Sequence, residues 1–350
     1  MYPIPFGDEG HVGGGERYAH ELASAMAAIV PTVLVTTGKR RESHREGRLS
    51  VEVHPWLALV HGVRGNPLTL GFLGSLRGAD VIHCLSYSTL MTDLSLIYGR
   101  LRGRRLFITD VGGGGDVTLA RWLNVAALAD RLLLLSEFAG GVFPRARPAR
   151  NVIYGGVDTD RFHPGRRRRS DDVLYVGRIL AHKGIDYLID AVGHQQRLVI
   201  CGRPYDVEYY HYLRHQAEGR NVVFVTDADD DRIIAEYQSC GVFVSPSVYE
   251  NSRGGRAAAP ELLGLTLLEA MSSGAPVICT RVGSLPELVE DGVSGLVVPP
   301  NDSAALGTAI RELLADPERA ALIAASARER VLRTFTWRRT AERCFAAYAR

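Results

Sequence analysis

The chain has 350 residues, of which 46% are hydrophobic and 23% charged, and a formal net charge of +2. That length fits two globular domains, and the near balance of charge excludes a global electrostatic pull toward nucleic acid. No apolar run reaches the roughly 18 residues of a membrane-spanning helix, and the opening MYPIPFGDEGHVGGG has neither the basic segment nor the apolar core of a secretory signal.

Residues 1 to 11 hold no strand-like run and read as loop. Helical periodicity starts after Gly13-Gly14-Gly15, with Tyr18, Leu22, Ala25, Met26 and Ile29 on one face. A glycine-rich turn into a helix is the geometry of a phosphate loop, which makes Gly14 and Gly15 candidate anion-binding positions. A plain tight turn is the alternative. Short apolar strands are then expected near 32–36, 51–54, 80–85, 105–109, 131–136 and 151–154, with helices near 68–76, 89–101 and 118–129. This alternation argues for a parallel doubly wound sheet, in which ligands bind beyond the carboxyl ends of the strands. Those ends carry Ser86-Tyr87, Asp110 followed by Val111 and a run of glycines, and Ser136-Glu137. Asp110 is therefore a candidate site residue, with a helix or turn cap as the alternative.

The segment GGVDTDRFHP, 155–164, reads as an interdomain turn, and the run Arg166 to Arg169 as a solvated loop tip, with contact to anionic lipid as the alternative. A second βαβ series follows. Strands are expected near 173–176, 197–201, 222–225, 242–245, 276–279 and 296–298, and helices near 185–192, 207–218, 230–238, 265–272 and 286–290. Ser284-Leu285-Pro286-Glu287 fits a capping box. Asp227, Asp229, Asp230 and Asp231 read as an acidic helix start rather than a metal site. The tail from Ser303 is helical and broken at Pro317. The cysteines Cys84, Cys201, Cys240, Cys279 and Cys344 are widely spaced, three of them in apolar runs, and read as buried thiols of a reducing compartment with no metal cluster.

Two stretches of the second series carry chemistry. Arg178 and Lys183 follow its first strand, where a guanidinium fork and an ammonium are the usual partners of a diphosphate. Lys39 and Lys183 are the lysines of a chain that otherwise uses arginine, which favours a specific role for Lys183. Alone, such a pair is ordinary surface charge. Further on, seven residues separate Glu261 from Glu269, and Gly264 precedes the helical run Leu265-Thr266-Leu267-Leu268-Glu269. Unpaired N–H groups at that helix start and the helix dipole suit a phosphate, which Gly264 lets approach the backbone. The flanking carboxylates suit sugar hydroxyls. The bland reading is an amphipathic helix after a solvated glutamate. Glu250 competes for the first position, but the spacing selects Glu261 and makes 251–260 an inserted loop.

In order, PS, the paired glutamates, EAM, PVICT, GSLPELV and DGVSGLVVPP resemble the donor-binding half of retaining glycosyltransferases of family 4, glycosyl transferases group 1. The resemblance is strong from about Tyr175 to Asp302 and moderate from Gly13 to Pro164. It implies the GT-B fold, two Rossmann-like doubly wound parallel-sheet domains facing a cleft. Residues 1–164 would form the acceptor-side domain, 165–335 the donor-binding domain, and 336–350 a helix crossing back to the first. Members usually have an apolar strand before the first glycine-rich loop, and its absence here implies a late start or a truncation.

The implied reaction moves a hexose-type sugar from a UDP- or GDP-type nucleotide sugar to a hydroxyl of a glycan, lipid-linked or small-molecule acceptor, with retention. It needs neither cofactor nor metal, and it takes place in the cytoplasm or at the inner face of the plasma membrane. Arg178 and Lys183 would hold the diphosphate with Gly264, Leu265 and Thr266. Glu261 would approach the sugar and Glu269 the ribose. Many members carry a histidine where this chain has Asp110-Val111, which leaves acceptor activation open. A nucleotide-sugar epimerase, a glycosidase with two close carboxylates, and a sugar-nucleotide-binding protein without catalysis remain as alternatives.

Overall fold

The computed structural model describes residues 1–3, 14–62, 65–87, 89–112, 125–142, 148–166, 168–257 and 260–349. The chain divides into two compact units, Met1–Gly156 with Trp337–Arg350, and Val157–Thr336.

The first unit opens with α1 (Gly14–Ala27), whose Tyr18, Ala19, Leu22, Ala23 and Met26 are buried at helical spacing. Ile29 does not join that face, because the helix ends at Ala27 and leaves it exposed. Strands β1 (Thr32–Gly38), β2 (Glu42–Glu46) and β3 (Leu49–Pro55) form a sheet in the order β1-β3-β2, with β2 antiparallel on its edge. The short strands β4 (Ala58–Leu59) and β5 (Pro67–Leu68) pair antiparallel. The helix expected near 68–76 is instead β5 and a 3-10 turn at Gly71–Gly74. The N–H groups of Leu73, Ser75, Leu76 and Arg77 return to the carbonyl three residues back, and Gly71 and Gly74 disfavour propagation as an α-helix. A four-stranded parallel sheet follows in chain order, β6 (Val81–Cys84), β7 (Arg105–Ile108), β8 (Arg131–Leu134) and β9 (Ala149–Val152), with α2 (Leu90–Leu101) and α3 (Glu137–Val142) between strands. Thr89 caps α2 by accepting from the Thr92 N–H at 3.2 Å. Of the helix expected at 118–129, residues 118–124 lie outside the described residues, and Val125–Leu128 is a 3-10 turn.

Reading the opening residues as plain loop misses a ladder. Tyr2 N–H donates to the Val35 carbonyl in β1 at 3.0 Å, and Leu85 N–H donates to the Met1 carbonyl at 2.8 Å just beyond β6. Residues 1–3 thus hydrogen-bond to strands on both sides. The helix Trp337–Tyr348, from the far end of the chain, packs on α1, with Tyr18 and Trp337 edge to face at 5.0 Å.

The second unit is one six-stranded sheet, parallel throughout: β10 (Val173–Val176), β11 (Leu198–Cys201), β12 (Val222–Val225), β13 (Val242–Ser245), β14 (Val277–Thr280) and β15 (Leu296–Val298). Strands β10, β11, β13 and β14 are buried at every position, as expected of strands covered on both faces. Helices α4 (Ile185–Ala191), α5 (Val207–Gln216), α6 (Asp230–Ser239), α7 (Leu265–Ser272), α8 (Leu285–Leu288) and α9 (Ser303–Ala315) follow successive strands, α10 (Pro317–Thr334) follows α9, and the terminal helix above is α11. Asp206, Asp229, Asp302 and Asp316 each cap the helix that follows through the side chain. Ser284 does not: the expected capping box is absent, and its buried Oγ has no hydrogen-bond partner. Ser284 has helical dihedrals, so its side chain cannot fold back onto the first-turn N–H groups as an extended cap does. The strand order β12-β11-β10-β13-β14-β15 reverses direction between β10 and β13. At such a switch point the loops leaving two neighbouring strands diverge and open a crevice beyond their carboxyl ends.

Candidate active site

The loops at that switch point are 177–184, after β10, and 246–264, after β13. Gly177 and Gly202 bring two strand ends together: a Cβ on Gly202 would lie 1.7 Å from the Gly177 carbonyl oxygen. Arg178 follows. Tyr175 Oη donates to its carbonyl at 2.9 Å, and its guanidinium lies 5.7 Å from the centre of the Tyr205 ring. A 3-10 turn, Ala181–Lys183, then ends at Gly184, whose φ of 64° is left-handed. A side chain there would also stand 2.1 Å from the Pro246 carbonyl oxygen. Val248 N–H donates to the His182 carbonyl at 2.9 Å, so the lysine turn is seated on the segment leaving β13.

Lys183 Nζ meets Glu261 Oε1 at 2.6 Å, with only 12% and 13% of the two side chains exposed. Ser247 Oγ donates to the same oxygen at 2.7 Å. Burial pushes the Glu261 carboxyl up, but the Lys183 charge and the hydrogen bonds from Lys183 and Ser247 outweigh it and hold the group below its ordinary range. Glu261 is therefore a carboxylate at neutral pH. No hydrogen bond from a described residue reaches Oε2. The Glu261 carbonyl accepts from Ser284 N–H at 3.2 Å, and a Cβ on Gly283 would lie 2.3 Å from it.

Sequence reasoning missed His182. Burial first, then the Lys183 charge, push its imidazole down to about 4, so it is neutral at physiological pH. The Lys183 and Arg178 charges act against its protonation and the Glu261 charge for it. Its only sequence signal is adjacency to Lys183.

Gly264 caps α7 in the left-handed region, φ 86°, and a Cβ there would press on Leu285 Cδ2 at 2.8 Å. Leu267 and Leu268 return their N–H groups to the Gly264 carbonyl. Leu265 and Thr266 begin the helix, where N–H groups have no intrahelical acceptor, and both are partly exposed. Glu269, one turn on, is only 6% exposed and accepts from Tyr237 Oη at 3.0 Å. Glu250 turns outward. It pairs with Arg256 at 2.9 Å across a small hairpin closed by Asn251 N–H to the Gly255 carbonyl and Ala257 N–H to the Tyr249 carbonyl.

The remaining candidates lie in the first unit. Gly14 is exposed at the start of α1, and a Cβ on Gly15 would lie 2.3 Å from Tyr2 Oη and 3.6 Å from Val111 Cγ2. Asp110 accepts from Tyr87 N–H at 3.4 Å and from Gly112 N–H at 3.2 Å, the geometry of a turn cap. Burial pushes its carboxyl up, against those two hydrogen bonds. The glycines from 113 onward lie outside the described residues. The arginine run needs a correction. Arg166 and Arg168 are exposed, but Arg169 is held by the carbonyls of Tyr237, Cys240 and Ser273 at 2.8, 3.0 and 2.8 Å and is no part of a solvated tip. Among the described residues no cluster of three His, Cys, Asp or Glu side chains is placed to hold a metal ion, and no helix is long and apolar enough to cross a membrane.

Residues 157–330 match the family model for glycosyl transferases group 1. The chain is 30% identical over 312 residues to an uncharacterized glycosyltransferase of Methanocaldococcus jannaschii, covering 80% of this chain and 77% of that protein. It belongs to the group 1 glycosyl transferases. Two mycobacterial relatives, both from Mycolicibacterium smegmatis, are also similar. An alpha-maltose-1-phosphate synthase is 29% identical over 80% of this chain and 81% of its own. A GDP-mannose-dependent alpha-(1-6)-phosphatidylinositol monomannoside mannosyltransferase is 33% identical over 58% of this chain and 56% of its own. Among solved structures, sucrose-phosphate synthase from Thermosynechococcus elongatus superposes with a TM-score of 0.75 at 23% identity, over 100% of this chain and 98% of that one. Anabaena HepE in complex with UDP and glucose gives 0.74 at 21%, over 100% of both. At such identities these structures establish the fold of this group 1 glycosyltransferase, which is GT-B with two Rossmann-like domains.

Proposed function

We propose that the protein is a retaining glycosyltransferase of family 4 that moves a hexose-type residue from a UDP- or GDP-sugar to a hydroxyl of a glycan, lipid-linked or small-molecule acceptor, without a metal ion. The observation that carries this reading is the Lys183–Glu261 pair, 2.6 Å apart and bound by Ser247, in the loops where the strand order reverses. A nucleoside diphosphate there meets an ammonium, a guanidinium from Arg178 and the first-turn N–H groups of α7. All three favour negative charge. Glu261 keeps Oε2 for a sugar hydroxyl, and Glu269 takes the ribose. The second unit then binds the donor and the first the acceptor, with Gly14 and Gly15 as further donor-binding candidates and Asp110 as a candidate catalytic residue. The GDP-mannose-dependent relative and the UDP-glucose complex of HepE support a nucleotide-sugar donor.

In the reaction, charge grows on the leaving diphosphate as the bond from anomeric carbon to phosphate oxygen breaks. Arg178 and Lys183 are positioned to stabilise it, which lowers the barrier more than it stabilises the bound substrate. The acceptor oxygen bonds to the anomeric carbon on the face the diphosphate leaves and gives its proton to the departing phosphate oxygen, which gives retention. The Glu261 carboxylate offsets positive charge on the sugar ring. The test is a thermal-shift screen of UDP- and GDP-sugars, since a ligand that binds the native state at free concentration L stabilises it by RT ln(1 + L/Kd) and so raises the melting point. Proton NMR then follows the anomer formed. Stabilisation by one nucleotide series and an α-product from an α-donor are expected; an inverted product removes the retaining assignment.

A further inference from the structure

Glu261 is approached by two donors, and they differ in kind. Lys183 is an ammonium on a four-carbon stem with rotatable bonds, which a phosphate can draw away. Ser247 is 1% exposed and fixed on both sides of its own residue: Thr280 Oγ1 donates to its carbonyl at 2.5 Å, and the Pro246 carbonyl before it abuts Gly184. Val248, directly after it, is hydrogen-bonded to the His182 carbonyl. The Ser247 hydroxyl is therefore a stationary reference, whereas Glu261 reaches it across the hairpin that holds Glu250. That hairpin has its own anchors: Tyr249 Oη accepts from Gly283 N–H at 2.8 Å, and the Glu250 carbonyl accepts from Asn301 Nδ2 at 2.7 Å.

We propose that Ser247 is the positioning residue of this site: its hydroxyl holds Oε1 of Glu261 when Lys183 turns to the diphosphate, and so keeps Oε2 directed at the donor sugar. This rests on the reading of Glu261 as the sugar-orienting carboxylate. A carboxylate held by the lysine alone would lose its orientation when phosphate recruits that ammonium. With Ser247 present, one charge-assisted hydrogen bond from a fixed donor remains. The loss of Ser247 then affects the sugar end of the donor and spares the diphosphate end.

The experiment is calorimetric titration of UDP against UDP-glucose, and of GDP against GDP-mannose, into the wild type, Ser247→Ala, Ser247→Thr, Glu261→Gln and Glu250→Gln. For the base that binds, Ser247→Ala is expected to keep the affinity for the bare diphosphate within about twofold. Its ratio of nucleotide-sugar to diphosphate affinity should fall by about tenfold, the worth of one charge-assisted hydrogen bond. Ser247→Thr, which keeps the hydroxyl, should restore most of the ratio, and Glu250→Gln should match the wild type. Ser247→Cys, of similar volume and a weak donor, replaces Ser247→Ala if that variant does not fold, with the same direction expected. An unchanged ratio in Ser247→Ala beside a reduced one in Glu261→Gln overturns the positioning role and leaves the function standing. Equal losses for the sugar nucleotide and the bare diphosphate also overturn it, because they mark a residue that merely supports the fold. Unchanged ratios in both variants, or no binding of either base, remove the reading of Glu261 and this inference with it.

Discussion

Lys183→Ala perturbs the buried pair most simply. The two side chains are 12% and 13% exposed and 2.6 Å apart. Removing one partner of such a pair leaves the other as an uncompensated buried charge, at a cost of about 3–5 kcal/mol. The lower end applies, since Ser247 still donates to Glu261. A loss of about 3 kcal/mol in a domain of this size lowers the melting point by about 6–12 °C. The pH dependence has a definite sign. In the wild type the Glu261 carboxyl is held below its ordinary value, so its contribution to stability is present above that value of 4.5 and is lost as pH falls through the folded-state pKa. In the variant, burial acts without the lysine and favours the protonated form, so the gap between wild type and variant should narrow as the pH is taken from 7 toward 4. Adding Glu261→Gln should recover at least half of the lost stability, because no buried charge remains. Calorimetry of the three proteins across that range is the assay. Equal melting points at pH 7, or a gap that widens in acid, would refute the buried-pair argument.

Other consequences follow from single contacts. Gly264→Ala places a side chain at φ 86° and 2.8 Å from Leu285 Cδ2, so a loss of about 1–2 kcal/mol and several-fold weaker binding of UDP or GDP are expected by melting and titration. Arg169→Met strips a guanidinium from three carbonyls and should destabilise by about 2–3 kcal/mol, whereas Arg168→Met, on the exposed neighbour, should leave the melting point unchanged. Glu269→Gln should raise the donor KM more than it lowers kcat, since contacts made equally in ground and transition states act on binding, and steady-state kinetics separates the two.

The second unit was the more legible half. Its strands are unbroken apolar runs such as VLYV, LVIC and VFVS, buried on both faces, and α5, α6, α9 and α10 start at aspartates that cap them. The edge strand β2, ESHRE, is exposed at every position, so no alternation betrays it. The ladder made by residues 1–3 was invisible because it depends on main-chain groups of Val35, His83 and Leu85 rather than on side-chain pattern. In the site, the positions of Lys183 and Glu261 after two neighbouring strands could be read from the sequence. Their direct contact could not, since they are 78 residues apart. Ser247 and His182 have no local signature either. One acquires its partner through the return of the chain after the hairpin, and the other its neutral state through burial.

The central claim is that a nucleoside diphosphate binds at the start of α7 within reach of Lys183. A crystal structure of the protein with UDP or GDP tests it most directly. The account predicts phosphate oxygens within hydrogen-bonding distance of the Leu265 and Thr266 N–H groups and of Lys183 Nζ, with Ser247 still bound to Glu261 Oε1. A nucleotide bound away from α7, or a diphosphate at α7 that leaves the Lys183–Glu261 pair closed and makes no contact with the lysine, would contradict it.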